Sequence, residues 1–205
     1  MRFLEVTRAG DESWIAPAVD VLRRGEVVAL PTESSYGLAV DALSDEALAR
    51  LWSVKGRPEG KPPPLLVDGE AMVMALVTSL SEVARRLIAV YWPGPLTLAL
   101  PARADLPAAI VEAGFVAVRA SPHKTAMRLV RAFGGPITAT SANRSGAPPA
   151  LTAAGAALLG VALVLDGGIA GGGAPSTVAR VHPDGRIEVL RPGPIDPTRT
   201  PLHGD

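Results

Sequence analysis

The chain has no cysteine, no long apolar run and no excess of charge of either sign. Without cysteine it can form no disulfide, no thiolate metal site and no cysteine nucleophile, and it fits a reducing compartment. No apolar stretch approaches the roughly 20 residues that a membrane-spanning helix requires. Residues 1–14, MRFLEVTRAGDESW, contain no apolar targeting segment. We therefore expect a cytoplasmic protein with no membrane association.

Positive charge and aromatic side chains are both too few for a protein that coats nucleic acid. Lys and Arg number 20 together, as do Asp and Glu, so the formal net charge is zero. Any anion site must therefore be local. Aromatic residues make up only 4% of the chain, although proteins that read single-stranded RNA usually stack bases on aromatic rings. We expect weak or no direct binding to nucleic acid.

The common nucleotide, metal and hydrolase motifs are missing as well. The stretch GRPEGKP (56–62) has three residues between its glycines instead of four, and it places Pro62 where a P-loop requires Ser or Thr. Neither G-x-G-x-x-G nor G-x-S-x-G occurs. The three histidines, His123, His182 and His203, lack the spacing of metal ligands. We expect no protein-made metal site.

Helical and strand patterns alternate along the chain. Ile15, Val19 and Leu22 recur at helical spacing and precede EVVAL, a short apolar block typical of a buried strand. The same alternation continues to STVARVHPDGRIEVL, where a Pro-Asp-Gly turn predicts a hairpin. The pattern predicts an α/β fold in which helices flank a mixed sheet.

Short polar segments follow the predicted strands, at the positions where α/β sheets commonly bind ligands. They are PTESSYGL (31–38), KGRPEGK (55–61), VRASPH (118–123), TSANRSG (140–146), GGGAPSTV (171–178) and LRPG (190–193). The side chains in them that suit a phosphate ligand are Lys55, Arg57, Arg119, Arg191, Thr32, Ser141, Asn143, Ser176 and Thr177. Each segment alone has a simpler explanation: KGR as a helix end, TSAN as a turn or cap, and GGGAPS as a flexible surface loop.

Taken in order, the segments carry a more specific pattern. LPTESSYGLAVDAL, KGRPEGKPPPLLV, YWPGPLTLAL, VAVRASPH, ITATSANRSGAPP, STVARV and LRPGPI occur in the order and approximate spacing of the YrdC-like family. The chain resembles the threonylcarbamoyl-AMP synthases of that family from about residue 10 to residue 195. The most specific marks are K-x-R at Lys55–Arg57 and S-x-N at Ser141–Asn143. The resemblance implies one YrdC-like domain over residues 1–205, with a twisted mixed β-sheet around a concave, positively lined cavity.

The resemblance also implies a reaction. L-threonine, bicarbonate or CO₂, and ATP would give threonylcarbamoyl-AMP and pyrophosphate, and a separate transferase would use this product to modify tRNA. ATP would bring its own Mg²⁺. Lys55 and Arg57 would be catalytic and would hold ATP together with Ser141, Asn143 and Arg191. Thr32 and Ser176 would contact threonine, while Arg119 would take its carboxylate or bridge to phosphate.

Several points stay open. The sequence has Ser34-Ser35 where PTETVYGL is usual in the family, and Pro63 where Leu is frequent, so the lining near Tyr36 is unassigned. Relatives often carry a polar residue or His near Val67. We expect no further domain after LRPG, and the sequence does not decide whether GGGAPS closes as a lid. Two alternatives remain: an RNA-binding module with a basic concave surface, and a carbamoyl-adenylate enzyme that serves another acceptor.

Overall fold

The computed structural model describes residues 1–7, 10–56 and 61–200. Arg57 therefore lies outside the described residues. The helices are α1 (Ile15–Arg23), α2 (Asp45–Lys55), α3 (Glu70–Met74), α4 (Glu82–Tyr91), α5 (Lys124–Phe133) and α6 (Ala153–Ala157), with 3₁₀ turns at Ala108–Ile110 and Pro197–Arg199. The strands are β1 (Arg2–Glu5), β2 (Val28–Pro31), β3 (Tyr36–Ala39), β4 (Leu65–Leu66), β5 (Leu96–Pro101), β6 (Val111–Glu112), β7 (Phe115–Arg119), β8 (Ile137–Thr138), β9 (Thr140–Ser141), β10 (Leu163–Asp166), β11 (Thr177–Val181) and β12 (Ile187–Arg191).

The strands form two mixed sheets. The first has the order β1-β10-β2-β3-β9, with parallel pairing as far as β2 and antiparallel pairing beyond it. The second has the order β12-β11-β5-β7-β4-β8, and β6 also pairs with β7. The predicted α/β fold with mixed pairing and flanking helices is confirmed, and its strands divide between two sheets. The predicted hairpin is confirmed as β11 and β12.

The two sheets meet where the chain passes from β8 to β9. In the segment PITATS (136–141), Ala139 separates two short strands that belong to different sheets. Thr138 links them, because its hydroxyl donates to the carbonyl of Leu38 and accepts from the amide of Val40, both at 3.1 Å. This crossing brings the S-x-N motif, which begins at Ser141, to the junction of the sheets.

Apolar packing covers both faces of the first sheet. Val28 and Leu30 of β2 pack in a cluster with residues of α1 and α5, such as Leu22 and Leu129. Ala29 faces the larger cluster, which includes residues of both sheets and of α2, α4 and α6. All four residues of β2 are buried, as expected of a strand with packed layers on both sides. The core therefore holds the strand ends in fixed relative positions.

Capping residues stand at both ends of helix α2. The hydroxyl of Ser44 accepts a hydrogen bond from the amide of Ala47 at 3.2 Å and caps the first turn. Gly56 ends the helix with a φ of 74°, a left-handed conformation that costs glycine little. Lys55 therefore occupies the last helical position. In the described part of the chain, none of the helices combines the length and apolar character needed to cross a bilayer.

Candidate functional site

A cavity of about 510 Å³ lies among the ends of strands from both sheets. Its volume is within the usual range of small-molecule sites. The cavity is lined by five of the residues singled out from the sequence, which are Thr32, Arg119, Ser141, Ser176 and Arg191. These residues span 160 positions of the sequence, from 32 to 191. The fold thus brings most of the predicted site together.

Lys55 lies behind the wall of this cavity. Its side chain is only 5% exposed, and its ammonium donates to the carbonyl oxygen of Ser141 at 2.8 Å. It also donates to the side-chain oxygen of Asn143 at 2.9 Å and to its carbonyl oxygen at 3.3 Å. The hydroxyl of Ser141 donates to the same Asn143 side-chain oxygen at 2.8 Å. The K-x-R lysine therefore joins the end of α2 to the S-x-N segment.

Arg191 and Ser176 form another part of the wall. The guanidinium of Arg191 donates twice to the carbonyl of Ser176, at 2.8 and 3.1 Å, and once to its hydroxyl at 3.2 Å. That hydroxyl also lies 2.9 Å from the hydroxyl of Thr97. Gly193 permits the close approach, since a Cβ there would lie 2.5 Å from the amide nitrogen of Thr177. The LRPG segment is thus held against the start of β11.

Arg119 reaches the cavity from the end of β7 and is paired with Glu33. The guanidinium donates to one carboxylate oxygen of Glu33, and the hydroxyl of Ser121 donates to the other at 2.9 Å. Burial raises the pKa of Glu33, but the charge and hydrogen bond of Arg119 outweigh it, so the pKa is lowered from its usual value. Sequence reasoning missed Glu33, although it stands inside the segment PTESS, next to the predicted Thr32.

The cavity wall has two neighbouring guanidinium groups. Burial lowers the pKa of Arg191, and the positive charge of Arg119 lowers it further. The second effect means that the two cations are close enough to repel each other. The carboxylate of Glu33 pairs with one of them, Arg119. The wall therefore favours an anionic ligand that would reduce this repulsion.

The segment PTESS is a tight turn. The hydroxyl of Thr32 donates to the carbonyl of Ser35 at 2.6 Å, so Thr32 holds the turn as well as lining the cavity. Ser34 and Ser35, which depart from the family pattern, also line the cavity. Their hydroxyl groups therefore add polar character next to Tyr36.

The side chain of Tyr36 is held in place by hydrogen bonds to the backbone. Its side chain is fully buried. Its hydroxyl donates to the carbonyl of Gly168 at 2.8 Å and accepts from the amide of Gly167 at 3.1 Å. Burial raises the pKa of this phenol. Val67 is also fully buried, in the larger apolar cluster. Tyr36 therefore lines the cavity with its hydroxyl already engaged by the backbone of Gly167 and Gly168.

The glycine-rich loop packs on the PTESS turn. The amide of Gly172 donates to the carbonyl of Ser34 at 2.9 Å. A Cβ on Gly171 would lie 2.9 Å from the carbonyl oxygen of Glu33, which is closer than such atoms normally approach. Gly172 and Gly173 line the cavity. The loop therefore covers part of the cavity wall.

Metal ligands are sparse in this region. In residues 1–7, 10–56 and 61–200, no group of three or more His, Cys, Asp or Glu side chains could hold a metal ion. The carboxylate beside the cavity, Glu33, is already engaged by Arg119 and Ser121.

Comparison with known proteins shows that the chain is similar to proteins of one family. The Sua5_yciO_yrdC family model, described as Telomere recombination, matches residues 20–193. A threonylcarbamoyl-AMP synthase of Bacillus subtilis (strain 168) is 38% identical over 200 residues, covering 94% of this chain and 58% of the relative. A threonylcarbamoyl-AMP synthase of Chromohalobacter salexigens is 40% identical over 167 residues, covering 80% of this chain and 90% of the relative.

A solved structure is also similar. The crystal structure of P. abyssi Sua5 complexed with L-threonine superposes with a TM-score of 0.87 and 34% identity, over 93% of this chain and 57% of that chain. This chain thus spans a little over half of the length of the Bacillus relative and of Sua5. It spans most of the length of the Chromohalobacter relative.

Proposed function

The chain belongs to the Sua5_yciO_yrdC family, and we propose that it is a threonylcarbamoyl-AMP synthase. L-threonine, bicarbonate or CO₂, and ATP are its substrates, and threonylcarbamoyl-AMP and pyrophosphate are its products. The observation that carries the proposal is the meeting of Thr32, Arg119, Ser141, Ser176 and Arg191 around one cavity. Relatives that bear this enzyme name at 38% and 40% identity support it.

The reaction requires a site that handles negative charge. A carbamate oxygen attacks the α-phosphorus of ATP while pyrophosphate leaves, so two anions must be held close together. Fixed cations stabilise the charge that develops, because they need not reorganise during the reaction. Arg119 and Arg191, which line the same cavity, suit this requirement. No covalent nucleophile is needed.

In the proposed site, ATP lies along the wall formed by the S-x-N segment and Arg191. Ser141 and Asn143 are held in place by Lys55, which also supplies positive charge at the end of α2. Arg57, two positions further along the K-x-R motif, contributes a second cation. We propose that Arg57 and the charge of Lys55, which acts from behind the cavity wall, stabilise the departing pyrophosphate. Mg²⁺ enters on the phosphates of ATP and belongs to the substrate.

Threonine lies near the PTESS turn and the start of β11. Arg119 receives its carboxylate, while Thr32 and Ser176 contact the remainder of the molecule. The hydroxyl of Ser176 is held by Thr97 and Arg191, which links the threonine site to the wall that holds ATP. This link brings the carbamate close to the α-phosphorus.

The product is an activated adenylate. We propose that a separate transferase consumes it to modify tRNA in the cytoplasm, so that this chain itself need not bind RNA tightly. One domain suffices for the synthase site, because residues from both sheets line the same cavity.

An amino-acid panel tests the proposed function. Purified protein is incubated with ATP, Mg²⁺, bicarbonate and one amino acid at a time, and pyrophosphate release is measured. We expect release with L-threonine and little with serine or valine. Equal release with all three would remove the threonine assignment. No release with any of them, combined with tight binding of RNA, would favour an RNA-binding module.

A further inference from the structure

Glu33 is the one side chain, in the described part of the chain, that accepts a hydrogen bond from the guanidinium of Arg119. Both of its carboxylate oxygens are engaged, one by Arg119 and the other by Ser121. Ser121 is completely buried, and its hydroxyl also accepts from the amide of His123 at 3.1 Å. The carboxylate is thus held in a fixed direction from two sides.

The guanidinium of Arg119 is nearly buried, with 8% of the residue exposed, yet it lines the cavity. A guanidinium has five N–H donors, and Glu33 engages the group through Nη1. Arg191 lines the same cavity and adds a second positive charge to it. Without the carboxylate, Arg119 would have to remain beside another cation with no opposing charge, which is unfavourable at a buried site.

We propose that Glu33 is a positioning residue, which holds the Arg119 guanidinium at the cavity wall in the orientation that receives the carboxylate of threonine. This inference rests on the proposed function. Glu33 acts through Arg119, and Ser121 supports it by fixing the second carboxylate oxygen.

The structure supports a positioning role for Glu33 better than a role as a proton acceptor. Its lowered pKa makes it a weak base. Both oxygens already accept hydrogen bonds from within the protein. Its contribution is therefore to orientation and charge balance.

Glu33→Gln tests the proposal, because it removes the charge and keeps the size of the side chain. We expect the KM for L-threonine to rise about tenfold or more, as for loss of a charge-assisted hydrogen bond, while the KM for ATP changes less than about twofold. Glu33→Asp keeps the charge but shortens the side chain, so it should give an intermediate KM for threonine. Ser121→Ala should also raise the KM for L-threonine, by a smaller factor than Glu33→Gln.

A substrate analogue separates positioning from general damage. Threonine amide lacks the negative carboxylate, so the wild-type protein should bind it much more weakly than threonine in calorimetric titrations. In Glu33→Gln this preference should shrink, since Arg119 is no longer directed at the carboxylate. Glu46→Gln, which removes the acid of an exposed pair with Arg50, is the matched control and should retain the wild-type preference.

An unchanged preference for threonine in Glu33→Gln would overturn the proposal, and so would equal rises in both KM values. A crystal structure of Glu33→Gln gives a readout that does not depend on turnover. Rotation of Arg119 away from its wild-type position supports the positioning role even if the wild-type protein proves inactive with threonine, in which case the proposed function alone fails. An unmoved Arg119 contradicts the positioning role.

Discussion

Lys55 and Asn143 are joined by two hydrogen bonds, from the Lys55 ammonium to the side-chain oxygen at 2.9 Å and to the carbonyl oxygen at 3.3 Å. The two residues are 88 positions apart in the sequence. Their contact means that Lys55, at the end of α2, is fixed to the S-x-N segment at the junction of the two sheets.

Replacing Lys55 with Met should therefore reduce both stability and use of ATP. The variant leaves the oxygens of Ser141 and Asn143 without this donor, and we expect a loss of about 1–3 kcal/mol in the free energy of unfolding. The KM for ATP should rise about tenfold because the S-x-N segment loses its support. Denaturant titration and steady-state kinetics measure the two effects.

Lys124→Met is the control for this variant, since Lys124 is exposed on α5. Its free energy of unfolding should stay within about 0.5 kcal/mol of wild type. If Lys55→Met matched the control in both stability and kinetics, Lys55 would be an ordinary helix-end cation.

Gly193→Ala should loosen the wall that carries Ser176. The new Cβ would lie 2.5 Å from the amide nitrogen of Thr177 and 2.8 Å from the carbonyl oxygen of Pro175, so the backbone must shift. We expect a destabilisation of about 1–3 kcal/mol and a reduced turnover, because Arg191 and Ser176 lose their present spacing.

Gly173→Ala is the control for Gly193→Ala. A Cβ on Gly173 would have no heavy atom within 4 Å, so its unfolding free energy should change by less than about 0.5 kcal/mol. Equal stability of the two variants would show that the close contact at Gly193 does not constrain the fold.

Arg191→Lys tests the geometry of a guanidinium at this site. Arg191 donates to Ser176 through two nitrogens, and a lysine cannot reproduce this planar arrangement. We expect the KM for ATP to increase about tenfold, with little change in melting temperature. Arg186→Lys, an exposed position on the turn of the terminal hairpin, should behave like wild type. An unchanged KM in Arg191→Lys would mean that positive charge alone is sufficient there.

The stability of the protein should depend on pH through Glu33. Its pKa in the folded protein lies below the usual value of 4.5, since Arg119 outweighs the effect of burial. The ionised carboxylate therefore stabilises the fold above about pH 4.5, and this contribution is lost as the pH falls through the folded-state pKa. Denaturant titrations of wild type and Glu33→Gln should differ at neutral pH and converge in acid. A difference that grew in acid would contradict this sign.

Local sequence signals predict several elements well. Ser44 and Gly56 give the limits of α2, and the Pro-Asp-Gly turn gives the hairpin of β11 and β12. These features depend on neighbouring residues, which the sequence displays directly. The family pattern also identifies five residues that line one cavity.

Other features depend on contacts between distant residues. Strand β1 has three exposed residues out of four and is fixed by pairing with β10, about 160 positions away, so its own pattern does not reveal it. The crossing at Ala139 between two sheets has no local signal either. Glu33 is an ordinary acid in the sequence, and only the fold brings it to Arg119, 86 positions later.

The most direct test of the account uses isotopically labelled bicarbonate. The protein is incubated with ATP, Mg²⁺, L-threonine and the labelled bicarbonate, and the adenylate product is analysed by mass spectrometry. We predict an adenylate that carries threonine and the labelled carbon together, formed in equal amount to the pyrophosphate released. An adenylate without the label, or pyrophosphate release that does not require threonine, would contradict the proposed synthase.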